Sequence, residues 1–224
     1  MLAKDAQSYP KNHGLAEEVF LMQPDLIIAG TFTSRATVAI LKRLGFPVEE
    51  FKPAYSFADI RSNIKRMGDV LGRQQAARAM TEAFDRELGT QSATEGGQPT
   101  RKPVAALYYA NSYTSGGNTL AAEIVERSGL DNLGSKLKLV GTVKLPLELL
   151  VTGAPDIVVT GRRFGREGTQ ATQVLEHPAL LAVSSHASKA TVSDKYWICG
   201  LPFTIQAVKR LKEAAQAART EAKP

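Results

Sequence analysis

Two glutamates at the same distance from two matching strands are the first residues of this chain to read as more than scaffold. Glu17 stands seven residues before Pro24, and Glu148 stands seven before Pro155. The prolines open two similar segments, Pro24-Asp25-Leu26-Ile27-Ile28-Ala29-Gly30 and Pro155-Asp156-Ile157-Val158-Val159-Thr160-Gly161. Each reads as a turn, a buried strand and a glycine, and the unbroken apolar run suits a parallel strand covered on both faces. Taken singly, either glutamate is an ordinary solvated helix residue near a positive helix N-terminus. The duplicated spacing sets them apart.

A second group lies in the loops that follow strands. In open α/β sheets, ligands bind beyond the carboxyl ends of strands. That rule selects Thr31, Phe32, Thr33 and Arg35 after the first repeat, and Arg162, Arg163 and Phe164 after the second. It also selects Asn111, Tyr113 and Thr114, which follow a strand expected at Val104–Tyr109. Tyr and Phe can cover a flat or chelated ligand, and Arg can meet its negative charge. Each arginine fits a solvated surface equally well. Trp197, the single tryptophan, follows a strand and either lines this site or packs in the core. Such a set performs recognition and needs no covalent step.

Other chemistries have little support. There is no G-x-G-x-x-G, no Walker A lysine motif and no G-x-S-x-G elbow. His13, His177 and His186 lack close ligand spacing, so bare zinc or manganese ranks low and no resident cofactor or protein-held metal is expected. The lone Cys199 excludes an internal disulfide and reads as a small buried hydrophobe. Lys and Arg exceed Asp and Glu by 28 to 22, a net +6. The excess is dispersed in pairs such as Lys42-Arg43 and Lys209-Arg210, which argues against a nucleic-acid surface. No apolar stretch approaches the roughly 18 residues of a membrane span.

The elements that must position these residues alternate between strand and helix, which defines an α/β class. Helices are expected from Ser34 to Leu44, from Ser56, from Gln74 to Leu88, from Thr119 to Arg127 and from Phe203 to Ala218. Short strands are expected from Pro47 to Phe51 and from Thr191 to Ser193, and Asp131–Lys144 reads as irregular. Thr90–Thr100 is small, polar and glycine-containing, a surface loop. The repeat divides the chain into two similar lobes. Residues 1–73 form the N-terminal lobe, 74–99 a connecting helix and loop, and 100–224 the C-terminal lobe.

Three segments carry a family resemblance. EEVFLMQPDLIIAGTFTSRATVAILKRLGFPV from Glu17, TSGGNTLAAEIVERSGLDNLG from Thr114 and PLELLVTGAPDIVVTG from Pro146 resemble the substrate-binding proteins of iron–siderophore and vitamin B12 ABC importers. The resemblance implies two Rossmann-like lobes joined by a long helix, with ligand held in the cleft between them. It makes Glu17 and Glu148 the lobe-surface glutamates that meet arginines of a membrane permease, and Glu18 lies one residue from that role. It implies a monomeric, non-enzymatic periplasmic component that touches the membrane only through the permease. An iron–siderophore is the first expected cargo and a cobalamin-type corrinoid the second. Family members carry a further strand–helix unit and a signal peptide upstream, and none is visible at Met1-Leu2-Ala3-Lys4-Asp5. A truncated first lobe, with an unfilled sheet position and exposed apolar surface, is therefore expected. A cytoplasmic Rossmann-like enzyme or sensor is the reading from a different class. It accounts for the missing signal peptide but leaves the paired glutamates unexplained.

Overall fold

A computed structural model describes residues 6–92, 101–162, 178 and 187–221. The chain divides into two compact units, Met1–Pro53 and Ala54–Pro224. The boundary falls ahead of the helix that starts at Phe57.

In the first unit, helix α1 (Ala16–Leu21) leads into strand β1 (Ile27–Gly30), helix α2 (Arg35–Arg43) and strand β2 (Val48–Phe51). The strands run parallel, from Ile27 opposite Val48 to Gly30 opposite Phe51. Ser34 caps α2, its Oγ accepting from the Thr37 N–H at 3.4 Å. Gly45, at φ 88°, lets the chain turn back after the helix. Val38 and Leu41 bury one face of α2. Ile27 and Thr31 donate to Pro47 and Phe51 carbonyls of the β2 side at 2.9 and 3.0 Å. The alternate residue, Ile28, therefore directs its backbone polar groups to the other edge. No strand pairs with that edge among the described residues, and Ile28 is 47% exposed.

The second unit centres on a parallel sheet in the order β5-β3-β7-β8. Its strands are β3 (Val104–Tyr108), β5 (Asp131–Asn132), β7 (Ile157–Arg162) and β8 (Ser188–Ser193). Both faces are covered. Ala105, Leu107, Ile157 and Val159 enter one apolar cluster, while Val104, Ala106, Tyr108 and Val158 enter the other. This is why β3 and β7 read as continuous apolar runs. Asp156 fixes the start of the β3 side, its carboxylate accepting from the Val104 N–H at 2.7 Å and pairing with Arg101 at 2.9 Å.

The larger cluster is closed by α3 (Phe57–Val70), α4 (Gln74–Ser92), α5 (Leu120–Arg127) and α8 (Ile205–Glu221). Ser56 caps α3 by accepting from the Asp59 N–H at 3.1 Å. The Phe57 N–H donates to Glu123 of α5 at 2.7 Å, tying the two helices together. Phe57 and Phe84 meet edge to face at 6.0 Å. A Cβ on Gly68 would collide with the Ala77 Cβ, so this glycine sets the approach of α3 to α4.

Three expectations change. Asp131–Lys144 is ordered as β5, helix α6 (Leu133–Lys136) and strand β6 (Thr142–Lys144). Strand β6 pairs antiparallel with β4 (Tyr113–Ser115), inside the stretch read as a loop. The pairing depends on Gly116, where a Cβ would strike the Leu139 carbonyl. Cys199 is exposed rather than buried, because it lies in the turn after Trp197 and not on a core-facing element.

Candidate functional site

The two repeat copies fold alike around their glutamates. Helix α1 and its counterpart α7 (Leu147–Thr152) are each six residues long, and Glu17 and Glu148 are each the second residue. Both are exposed, and neither carboxylate has a hydrogen-bond or ion-pair partner among the described residues. Glu18 differs. It accepts from the His13 N–H at 2.6 Å and meets the His13 ring at 3.0 Å. These hydrogen bonds hold its carboxyl below the usual range. Glu18 is thus engaged locally while its neighbour Glu17 is not. Each helix ends alike too. Gln23 and Ala154, immediately before the two prolines, have left-handed backbone at φ 48° and 38°. Their N–H groups close the helices onto the Phe20 and Val151 carbonyls at 3.1 and 3.2 Å.

The loop after β1 is a tight turn. Thr33 Oγ1 accepts from the Gly30 N–H at 3.1 Å, and the Thr33 N–H donates to the Gly30 carbonyl at 2.8 Å. Thr33 is spent on this turn. Phe32 is left 82% exposed, beside exposed Thr31 and Arg35.

In the second unit the carboxyl ends of β3, β7 and β8 bring a different set together. Trp197 packs edge to face on Tyr109 at 5.6 Å, and its indole N–H donates to Asp194 Oδ1 at 3.3 Å. Gly161 leaves room for that carboxylate, since a Cβ there would lie 2.6 Å from Asp194 Oδ1. Burial pushes the Tyr109 phenol well above its ordinary value, the Asp194 charge adds to the rise, and a hydrogen bond with Ser115 opposes it. Trp197 belongs to the large apolar cluster, so of its two sequence readings the core one describes its packing. Asn111 and Ser112 are consecutive left-handed residues that carry the chain from β3 into β4. Asn111 is exposed and Tyr113 is 38% exposed. Thr114 is fully buried, and its hydroxyl has no partner among the described residues. Arg162 ends β7 opposite Ser193. Arg163 and Phe164 lie outside the described residues, as do His177 and His186.

Sequence reasoning passed over Tyr109 and Asp194. The usable signal was position, since each immediately follows a strand. Among the described residues, no cluster of three His, Cys, Asp or Glu could hold a metal ion. No described helix is long and apolar enough to cross a membrane.

Known proteins share this fold. The chain is 29% identical over 177 residues to a cobalamin-binding protein of Halobacterium salinarum, matching 78% of this chain and 46% of that one. The chain thus spans about half the length of the curated relatives it matches. Among solved structures, the periplasmic heme-binding protein RhuT from Roseiflexus sp. RS-1 superimposes with a TM-score of 0.75 at 19% identity, over 91% of this chain and 80% of that one. The periplasmic vitamin B12 binding protein BtuF of Vibrio cholerae does so with a TM-score of 0.63 at 18% identity, over 91% and 78%. At these identities the structures share the α/β fold. Residues 10–189, which hold both repeat copies and every strand of the parallel sheet up to the start of β8, match the periplasmic binding protein family, and the chain belongs to it.

Proposed function

We propose that this chain is the substrate-binding component of an ABC importer. It captures a metal chelate in the periplasm and delivers it to a membrane permease. The observation that carries this reading is the duplicated unit, in which a short helix presents an unpaired glutamate ahead of a parallel strand in each copy. Family membership supports the same role. The chain acts alone as a monomer, performs no reaction, and leaves the metal's coordination to the chelator.

The cargo favoured is a corrinoid, supported by the similarity to a cobalamin-binding protein. Exposed Phe32 in the first unit and Tyr113 in the second each offer ring surface to a flat macrocycle. Tyr109 and Trp197 support the strand-end surface from within. A ferric siderophore is the second reading, favoured by the exposed, cationic Arg35 that follows β1 in the first unit.

Quenching of Trp197 fluorescence by cobalamins, haem and a panel of ferric siderophores tests both, with calorimetry as the second readout. Saturable binding of cobalamin alone is the expected result. Binding of a siderophore alone reverses the order of cargoes, and a folded chain that binds none of them removes the importer reading.

A further inference from the structure

Helices α3 and α4 form an antiparallel hairpin with a groove along it. Gly72, at φ 64°, turns the chain between them, and the Arg73 N–H closes the turn onto the Gly68 carbonyl at 2.7 Å. The helices approach closely at Gly68 and Ala77, where only small side chains fit. Longer side chains flank this contact and line a cavity of about 500 Å³, a size typical of small-molecule sites. Arg61, Lys65 and Asp69 recur every four residues along one wall, and Gln74, Arg78 and Glu82 along the other. The charges in this groove are not matched to each other. Arg61 is held by Asp85 at 2.7 Å and lies over the Phe84 ring at 5.6 Å. Lys65 and Arg78 have no hydrogen-bond or ion-pair partner among the described residues. Each has a carboxylate four residues on, Asp69 and Glu82, at the spacing that pairs charges on a helix. Both pairs run cation first, the weaker order, and neither forms. The register that sets Arg61 against Asp85 and Gly68 against Ala77 brings Lys65 level with the turn of α4 from Arg78 to Thr81. Two unpaired cations therefore face one cavity.

We propose that the α3–α4 groove is a binding site for a small organic oxyanion, a polycarboxylate or a phosphate, bridged between Lys65 and Arg78. None of its residues belongs to the strand-end set, and the site does not rest on the importer reading. Arg78 offers the planar fork that matches a carboxylate or phosphate, and Lys65 offers a point charge. The Ala77 methyl and the methylene stems of the two cations give an apolar bed to the carbon body of the ligand. The Thr81 hydroxyl is spent on the Ala77 carbonyl at 2.9 Å, which leaves Ser62 and Gln74 as the neutral polar groups. Asp69 and Glu82 also border the cavity, and their charges oppose an anion. Their effect is opposite in sign to that of the cations, so the site can be tested in both directions.

The test is calorimetric titration of the full chain with citrate and with inorganic phosphate at neutral pH and low ionic strength, where surface charge is least screened. Amide chemical shifts map the site. Saturable binding that moves the amides of α3 and α4 is the expected result. Binding of citrate alone assigns the site to polycarboxylates, and binding of phosphate assigns it to phosphates. Lys65→Gln and Arg78→Gln should each weaken binding by about ten-fold. Glu82→Gln should tighten it. Lys42→Gln, which removes a cation already paired with Glu50 in the first unit, should match the parent. Lys65 and Arg78 are exposed and unpaired among the described residues, so their variants should melt with the parent, and melting curves check this. The proposal is overturned if neither anion binds saturably at millimolar concentration. It is equally overturned if the bound anion is indifferent to Lys65→Gln and Arg78→Gln in folded protein.

Discussion

The Trp197 indole donates its N–H to Asp194 Oδ1 at 3.3 Å, so the chain's single tryptophan is tied by a carboxylate at the carboxyl end of β8. The ring is buried, and a buried indole N–H left without an acceptor carries a desolvation cost of about 1–3 kcal/mol. Asp194→Ala is therefore expected to destabilise the second unit by about that amount. Asp194→Asn keeps an acceptor oxygen and should lose less than half as much. Urea unfolding followed by Trp197 emission reads both variants. Equal stability of the alanine variant and the parent would show that the hydrogen bond contributes nothing.

Gly68 poses a contest between two effects of opposite sign. Replacing a mid-helix glycine by alanine ordinarily stabilises by about 1 kcal/mol. Here the new Cβ would meet the Ala77 Cβ, with the Arg73 carbonyl 3.3 Å away. Overpacking of this kind costs about 1–3 kcal/mol, and neither neighbour is a flexible side-chain end that can swing aside. Gly68→Ala should therefore be net destabilising. Combining it with Ala77→Gly should recover part of the loss, giving a positive coupling in a double-mutant cycle. Additive effects would mean that α3 and α4 separate freely.

Tyr109 gives the alkaline limb of stability a specific source. Its phenol is raised above 10.0 mainly by burial, so the folded state favours the neutral form. The unfolded chain releases that proton near pH 10, where the folded chain still holds it. Above that pH the unfolded state binds fewer protons, and stability falls as pH rises; below it the contribution is fully present. Tyr109→Phe should flatten the decline between about pH 10 and 11.5 relative to the parent. A parallel decline in both proteins would assign the alkaline loss to other groups. Ultraviolet titration of the phenolate gives the independent check.

The repeat was legible because both copies keep the same residue types at the same spacing, and the caps at Ser34 and Ser56 were legible because their hydroxyls act locally. Burial was not. The apolar runs of β1 and β7 look alike, yet Val158 and Val159 are buried while Ile28 is 47% exposed. Strand β7 has neighbours on both sides, and β1 has one among the described residues. The pairing of β4 with β6 was hidden for a related reason. It joins segments far apart in sequence and depends on the close approach of Gly116 to Leu139, which no periodicity records. Side-chain direction at the strand ends was hidden as well. Thr114 and Trp197 have residue types that suit a ligand surface, and the fold turns both inward.

Glu17 and Glu148 make the functional prediction. Both are exposed and both lack a partner among the described residues, so their removal should leave the fold intact. Surface substitutions of this kind usually change stability by less than about 0.5 kcal/mol. Glu17→Ala and Glu148→Ala should therefore match the parent in melting temperature and in quenching by bound chelate. Uptake by cells or proteoliposomes carrying the cognate importer should fall, and the double variant should fall furthest. Glu18→Ala is the internal control, because its carboxylate is held by His13 rather than offered to a partner. It should leave transport near the parent level. Loss of chelate binding in folded Glu17→Ala or Glu148→Ala would move these residues from docking to the ligand site. Loss of transport in Glu18→Ala alone would place the docking carboxylate one residue further along the helix.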